Sequence, residues 1–132
     1  MTPEQYISGQ SPDRIGLLSE IHSIILQEDK MVDAAVGLMM GKEMILYKEN
    51  NRYFKYGLSS VKQYISLHLM PIYGGSPLHA RYRKLLPQAQ FQKGCINFVS
   101  AADVPPDILH QLFADCARVN ITAMLENRNR RR

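Results

Sequence analysis

Six residues in the second half of the chain carry groups suited to recognition: Tyr64, His68, Tyr73, Lys93, Cys95 and Asn97. Phenols, an imidazole, an ammonium, a thiol and an amide together supply hydrogen-bond donors, acceptors and a soft sulfur. Their spacing places most of them on one surface. Val61–Met70 is rich in β-branched and aromatic residues and reads as a strand, in which successive side chains point to opposite faces. Lys62, Tyr64, Ser66, His68 and Met70 then share one face, and Val61, Gln63, Ile65, Leu67 and Leu69 the other. In the segment Cys95–Val99, Ile96 and Phe98 alternate with Cys95, Asn97 and Val99. If Ile65, Leu67, Ile96 and Phe98 meet the core, then Tyr64, Ser66, His68, Cys95 and Asn97 lie together on the opposite face. Lys93 sits in the turn before the last strand, Tyr73 falls at the rim, and Tyr53 and Lys55 are expected to join from a neighbouring hairpin. The usual role of such a polar face is to meet water. Recognition of a small ligand or a protein partner is the functional reading that goes beyond it.

Other chemistry finds less support in the residue pattern. His22, His68, His79 and His110 form no HExxH motif and no pair spaced for a shared metal on one helix. Cys95 and Cys116 match no zinc-finger or deaminase spacing. Cys116 falls on the apolar stripe of the last helix and reads as a small buried hydrophobe, whereas Cys95, close to Lys93, is a candidate for an activated thiol. Glu20, Glu28, Asp29 and Asp33 are the acidic residues that could gather around a hard cation. Met39, Met40, Met44 and Met70 read as filling for an irregular core. No P-loop, GxSxG or GxGxxG motif occurs, so no catalytic residue is assigned. A catalytic site dispersed along the chain is the alternative, since triads are assembled in space.

The elements that position these groups follow from caps and periodicity. Thr2-Pro3-Glu4-Gln5 has the form of a capping box with proline in the first helical turn, and Gly9 ends that helix. Ser11-Pro12-Asp13 opens a second helix with Ile15, Leu18, Ile21 and Ile25 on one stripe, ending near Gln27. A strand is expected at about residues 35–40. Met44–Lys48 and Tyr53–Leu58 flank Glu49-Asn50-Asn51-Arg52, a hairpin whose asparagines tolerate positive φ. The strand Val61–Met70 follows, closed by Pro71 and Gly74-Gly75. Ser76-Pro77 opens a third helix that ends before Pro87. Lys93-Gly94 is a turn into the last strand. Asp103–Asp107 opens the final helix, with Ile108, Leu109, Leu112, Phe113 and Cys116 on its stripe and Asn120 as a polar interruption. The class is α+β: a curved antiparallel sheet of about five strands with helices packed on one face.

Length and composition set the outer limits. A chain of 132 residues forms one domain, expected over residues 1–126, with a basic, disordered tail at 127–132. Of the sixteen basic residues, four are Arg128, Arg130, Arg131 and Arg132. Without them, twelve positive charges face twelve negative ones, so the body is neutral and lacks the basic groove that nucleic-acid binding requires. Nucleic acid is therefore not an expected partner, apart from the arginine tail. Two cysteines, no secretory signal and no apolar run of membrane-spanning length lead to the expectation of a cytoplasmic protein without a membrane association. No cofactor is expected, and homodimerisation through the sheet is a further possibility.

Lys93-Gly94-Cys95-Ile96-Asn97-Phe98, followed by Asp103-Val104-Pro105 and Ile108-Leu109, resembles the YdhG-like domains (domain of unknown function 1801). So does the opening helix, from Tyr6-Ile7-Ser8 through Ser11-Pro12-Asp13-Arg14 to Leu18. The resemblance covers most of residues 4–118. Many members carry Trp-Gly-x-Pro after the first helix, where this chain has Val36-Gly37-Leu38-Met39. The resemblance implies a curved antiparallel sheet in an α+β fold. By analogy with some relatives it also raises frataxin-like iron or metal handling as an alternative function. It brings no catalytic residues with it.

Overall fold

A computed structural model of the chain describes residues 1–73 and 76–130. The expected closing glycines, Gly74-Gly75, and the last two arginines lie outside the described residues. The order is α1 (Pro3–Ser8), α2 (Pro12–Glu28), β1 (Val32–Met39), β2 (Lys42–Glu49), β3 (Tyr53–Ser60), β4 (Ile65–Leu69), α3 (Pro77–Leu85), β5 (Gln90–Phe91), β6 (Cys95–Phe98), α4 (Pro106–Ala117) and α5 (Ile121–Arg130). The strands form one antiparallel sheet in the order β1-β2-β3-β4-β6-β5. The fold class is the expected one, α+β with a curved, open antiparallel sheet. Its sixth strand, the two-residue β5, is too short to leave a periodic signal in the sequence.

The helix starts follow their caps. Thr2 Oγ1 accepts from the Gln5 N–H at 3.1 Å while the Gln5 side chain accepts from the Thr2 N–H at 2.8 Å. Pro12 supplies a preset φ in the first turn of α2. The helix buries Leu18, Ile21, His22, Ile24 and Ile25 and packs against α4, which buries Leu109, Leu112, Phe113 and Cys116. Alternate strand residues complete this core: Ile45 and Tyr47, Tyr56 and Leu58, Ile65, Leu67 and Leu69, and Ile96 and Phe98. Burying a side chain of this size contributes about 1.5–3 kcal/mol, so this one continuous cluster dominates the stability of the fold.

Two tight connections set the register of the first three strands. Met40 (φ 53°) and Gly41 (φ 76°) join β1 to β2 in a two-residue turn. Asn50 and Asn51, at φ 54° and 55°, turn β2 into β3, as the asparagine pair led one to expect.

The expected strand Val61–Met70 is shortened at both ends. Arg14 reaches from α2 and donates to Ser60 Oγ (2.8 Å), to the Val61 carbonyl, to the Tyr64 carbonyl (3.2 Å) and to the Lys62 carbonyl (3.2 Å). Those carbonyls point at a guanidinium instead of a neighbouring strand, so residues 61–64 form a turn and β4 begins at Ile65. At the other end Pro71 lies in a short 3-10 turn, Met70–Ile72.

The final helix also differs from expectation. Asp103 belongs to a short turn, where its carboxylate accepts from the Val99 (2.9 Å) and Ser100 (3.1 Å) N–H groups. The helix proper starts at Pro106 and breaks at 118–120. Asn120 is a cap, not an interruption: its side-chain oxygen accepts from the Ala123 N–H at 2.8 Å. The segment after this break forms α5, Ile121–Arg130.

A buried ion triad ties α5 to the sheet. Lys55, at 0% exposure, lies 2.8 Å from Asp29 and 3.0 Å from Glu49. Glu49 also accepts from the N–H groups of Ile121 (3.3 Å) and Thr122 (2.8 Å), so the surplus negative charge meets the N-terminus of α5. Tyr56 Oη and the Met31 N–H donate to Asp29 at 2.7 and 3.1 Å. Burial alone would raise the Glu49 pKa. The Thr122 N–H and the Lys55 ammonium outweigh it, and the net shift is downward. This arrangement corrects the expectation that Lys55 joins the polar sheet face. The β2–β3 register shifts between Tyr47 and Lys48, so Lys55 is the extra residue of a β-bulge and turns to the helix side beside Tyr56.

Candidate functional site: a cleft on the open face of the sheet

The sheet face away from the helices holds the candidate residues, and its rows can be read from the strand pairing. Leu46, Gly57, His68 and Cys95 stand side by side across β2, β3, β4 and β6. A parallel row joins Ser59, Ser66, Asn97 and Gln90. The missing side chain at Gly57 shapes the floor. A Cβ there would stand 3.0 Å from Met44 Sδ and 3.2 Å from the Phe54 ring, so glycine lets Phe54 lie down across its own strand. Gly94 does the same for the wall, where a Cβ would come within 2.7 Å of Tyr73 Cδ2.

Two adjoining cavities result. The larger, of about 550 Å³, lies between Met39, Met40, Phe54, Met70, Tyr73 and the Gln92–Cys95 turn. The smaller, of about 400 Å³, lies over Lys42, Ser59, Tyr64, Ser66 and Asn97. Met40, His68, Gln92 and Cys95 border both. Volumes of 300–1,000 Å³ are typical of small-molecule sites.

All six candidate residues border this cleft: His68, Tyr73, Lys93 and Cys95 the larger part, and Tyr64, His68, Cys95 and Asn97 the smaller. Tyr64 arrives there from the Arg14-held turn and not from a strand. Tyr53 remains at the β2–β3 hairpin, with the Arg52 guanidinium 5.0 Å from its ring centre. Sequence reasoning missed Phe54, Gln92 and Lys42, and it assigned Met39, Met40 and Met70 to core filling. Of the four methionines it named, Met44 is fully buried, and even Met44 lines the smaller cavity. The signal that could have found them is Met40-Gly41, a two-residue turn that carries the ends of β1 and β2 to the mouth of the cleft.

At the junction of the cavities His68 Nδ1 lies 2.9 Å from Cys95 Sγ. Burial lowers the His68 pKa, and the positive charge of Lys42 adds to the shift, while burial raises that of Cys95. Both shifts disfavour a thiolate–imidazolium pair, so the resting contact is between a neutral thiol and a neutral imidazole. The activated thiol considered for Cys95 beside Lys93 does not arise in this geometry. Next to it Ser66 Oγ donates to Asn97 Oδ1 at 2.7 Å, leaving the Asn97 amide N–H groups without a protein partner among the described residues.

The remaining histidines, and Glu28 and Asp29 among the acids, have other partners. His22 Nδ1 pairs with Tyr47 Oη at 2.6 Å, His110 with Glu28 at 2.8 Å, and His79 Nε2 lies 2.8 Å from the Gln92 carbonyl, which fixes the β5–β6 turn to α3. Asp29 is committed to Lys55, and among the described residues no group of three or more His, Cys, Asp or Glu side chains is placed to hold a metal ion. None of the helices described is long and apolar enough to cross a membrane.

No protein-family description, curated protein or solved structure matches the chain.

Proposed function

We propose that this chain is a small-molecule binding domain and that the open sheet face is its site. The observation that supports the reading is the cleft itself: about 550 Å³ joined to about 400 Å³, on the one face of the sheet that no helix covers, with donors and aromatic rings converging on it. The mechanism is binding by shape and hydrogen bonding: hydrogen-bonded strands carry Lys42, Phe54, Ser66, His68, Cys95 and Asn97, and the turns beside them add Met40, Tyr64, Tyr73 and Lys93. Membership of the YdhG-like family is proposed on the Lys93–Phe98 strand and the acidic link that follows it, and the α+β architecture is compatible with it.

His68 stands where the two cavities meet and its side chain is only partly buried, so a bulkier ring there fills the cleft without entering the core. Thermal-shift screening of a chemically diverse library against the wild-type chain is expected to yield stabilising compounds. In His68→Trp those same compounds lose their shift while the unliganded melting temperature stays close to wild type. Equal shifts in both proteins would contradict the proposal.

A second reading, homodimerisation, is favoured by β1. It is an eight-residue strand at the edge of the sheet, and Leu38 near its end is 73% exposed. Light scattering at increasing concentration tests it; a mass that stays monomeric removes this reading.

A further inference from the structure

The two cavities differ in chemistry in a way that selects a ligand class. The larger is walled mainly by Met39, Met40, Phe54, Met70 and Tyr73, apolar or aromatic bodies, with Gln92 and Lys93 at its turn. The smaller is polar: Lys42, Tyr64 and the Asn97 amide, whose N–H groups have no protein partner among the described residues, offer donors there beside the Ser59 and Ser66 hydroxyls, Gln92 and His68. The one acceptor that faces them from Asn97, Oδ1, is already taken by Ser66. Among the described residues no carboxylate borders either cavity, and the formal charges that do are both positive, Lys42 and Lys93. Neither lysine has an acidic side chain within ion-pair distance among the described residues, although the body of the protein has equal numbers of acids and bases.

We infer that the cleft takes an amphiphilic anion of low molecular mass, its carboxylate or equivalent head set among Lys42, Tyr64 and Asn97 and its apolar body laid over Phe54 and Tyr73. This rests on the reading of the open face as a ligand cleft and narrows it to one class. Hydrogen bonds from an ammonium to a carboxylate are stronger than neutral ones. The flexible thioethers of Met39, Met40 and Met70 can repack around apolar bodies of different shape. Head and body thus go to opposite ends, with His68 and Cys95 between them as a neutral bridge that adds no net charge.

Three ten-carbon probes of equal tail and different head test this: decanoate, decanol and decyltrimethylammonium, each kept below its aggregation concentration and followed by calorimetry and thermal shift. Decanoate is expected to bind saturably and more tightly than decanol, and decyltrimethylammonium not at all. Lys42→Gln, at an exposed strand position, is expected to weaken decanoate roughly fivefold, the scale of one exposed charge pair, while leaving decanol unchanged. Equal binding of all three probes, or of decanoate to wild type and Lys42→Gln, overturns the anion inference and leaves the cleft in place. Binding of none of them, in a chain whose melting curve shows it to be folded, overturns the anion inference. If compounds from the broad library also fail to discriminate wild type from His68→Trp, the cleft falls as well.

Discussion

The two faces of one sheet solve the problem of charge in opposite ways. On the helix side Lys55 is fully buried, and each of its partners is in turn held: Asp29 by Tyr56 and Met31, Glu49 by the first turn of α5. On the open side Lys42 and Lys93 stand at the edges of a cavity with no acid in reach among the described residues. A buried charge must be matched inside the protein because nothing else can match it. A charge at a cleft can be left for whatever enters. The same strands serve both faces: Ile45 and Tyr47 of β2 belong to the core, while Lys42 and Met44 line the cleft. The closed face therefore bears the stability of the fold, and the open face is free to carry recognition.

The sharpest break in this comparison is Lys55→Met. It strands two buried carboxylates and is expected to cost about 3–5 kcal/mol, as the loss of one partner of a buried pair does; urea denaturation measures it. A cost below about 1 kcal/mol would mean that the triad is not what secures α5.

A smaller effect should follow pH. Burial lowers the His22 pKa, with Glu4 acting weakly in the opposite direction, and Tyr47 Oη is hydrogen-bonded to Nδ1. The folded chain thus takes up this proton less readily than the unfolded chain, whose histidine titrates near 6.5. Stability is full above that pH and declines as pH falls below it, towards the lower folded value. His68 contributes with the same sign. Denaturation curves between pH 7.5 and pH 5 are expected to show this loss, and His22→Gln to flatten part of it, while a rise in stability on acidification would contradict the assignment.

On the open face the effects on stability should be smallest. Gly94→Ala meets only the ring of exposed Tyr73, which can swing away, and is expected to change stability by less than about 1 kcal/mol while altering the cleft wall. Lys42→Gln should stay within about 0.5 kcal/mol of wild type. A large loss from either would show that the open face is structural.

How much of this was legible depends on how far each signal travels along the chain. Strand alternation in β4 and β6 is local, so the face shared by Ser66, His68, Cys95 and Asn97, and the opposite assignment of Ile65, Leu67, Ile96 and Phe98, followed from period two alone. Lys55 did not follow, because a bulge adds one residue and shifts the period where no glycine or proline marks it. The start of β4 did not follow either, since the group that takes its carbonyls is Arg14, on a helix some fifty residues earlier. The methionines were misplaced for a related reason: a methionine is equally apt for a core and for the wall of a cavity, and the β1–β2 turn decides between them. Asn120 read as a polar residue in a helix because a cap and an interruption look alike until the helix is known to break there.

The central claim is that the open face of the sheet is a ligand cleft. Backbone amide NMR spectra of isotope-labelled protein, recorded through titrations with decanoate and with decanol, test it most directly. The account predicts saturable shifts that converge on Met40, Lys42, His68, Cys95 and Asn97, with residues of the helix-covered core such as Ile21 and Leu112 unmoved. Shifts centred on α2 and α4, or no saturable shift on the open face with either probe, would contradict it.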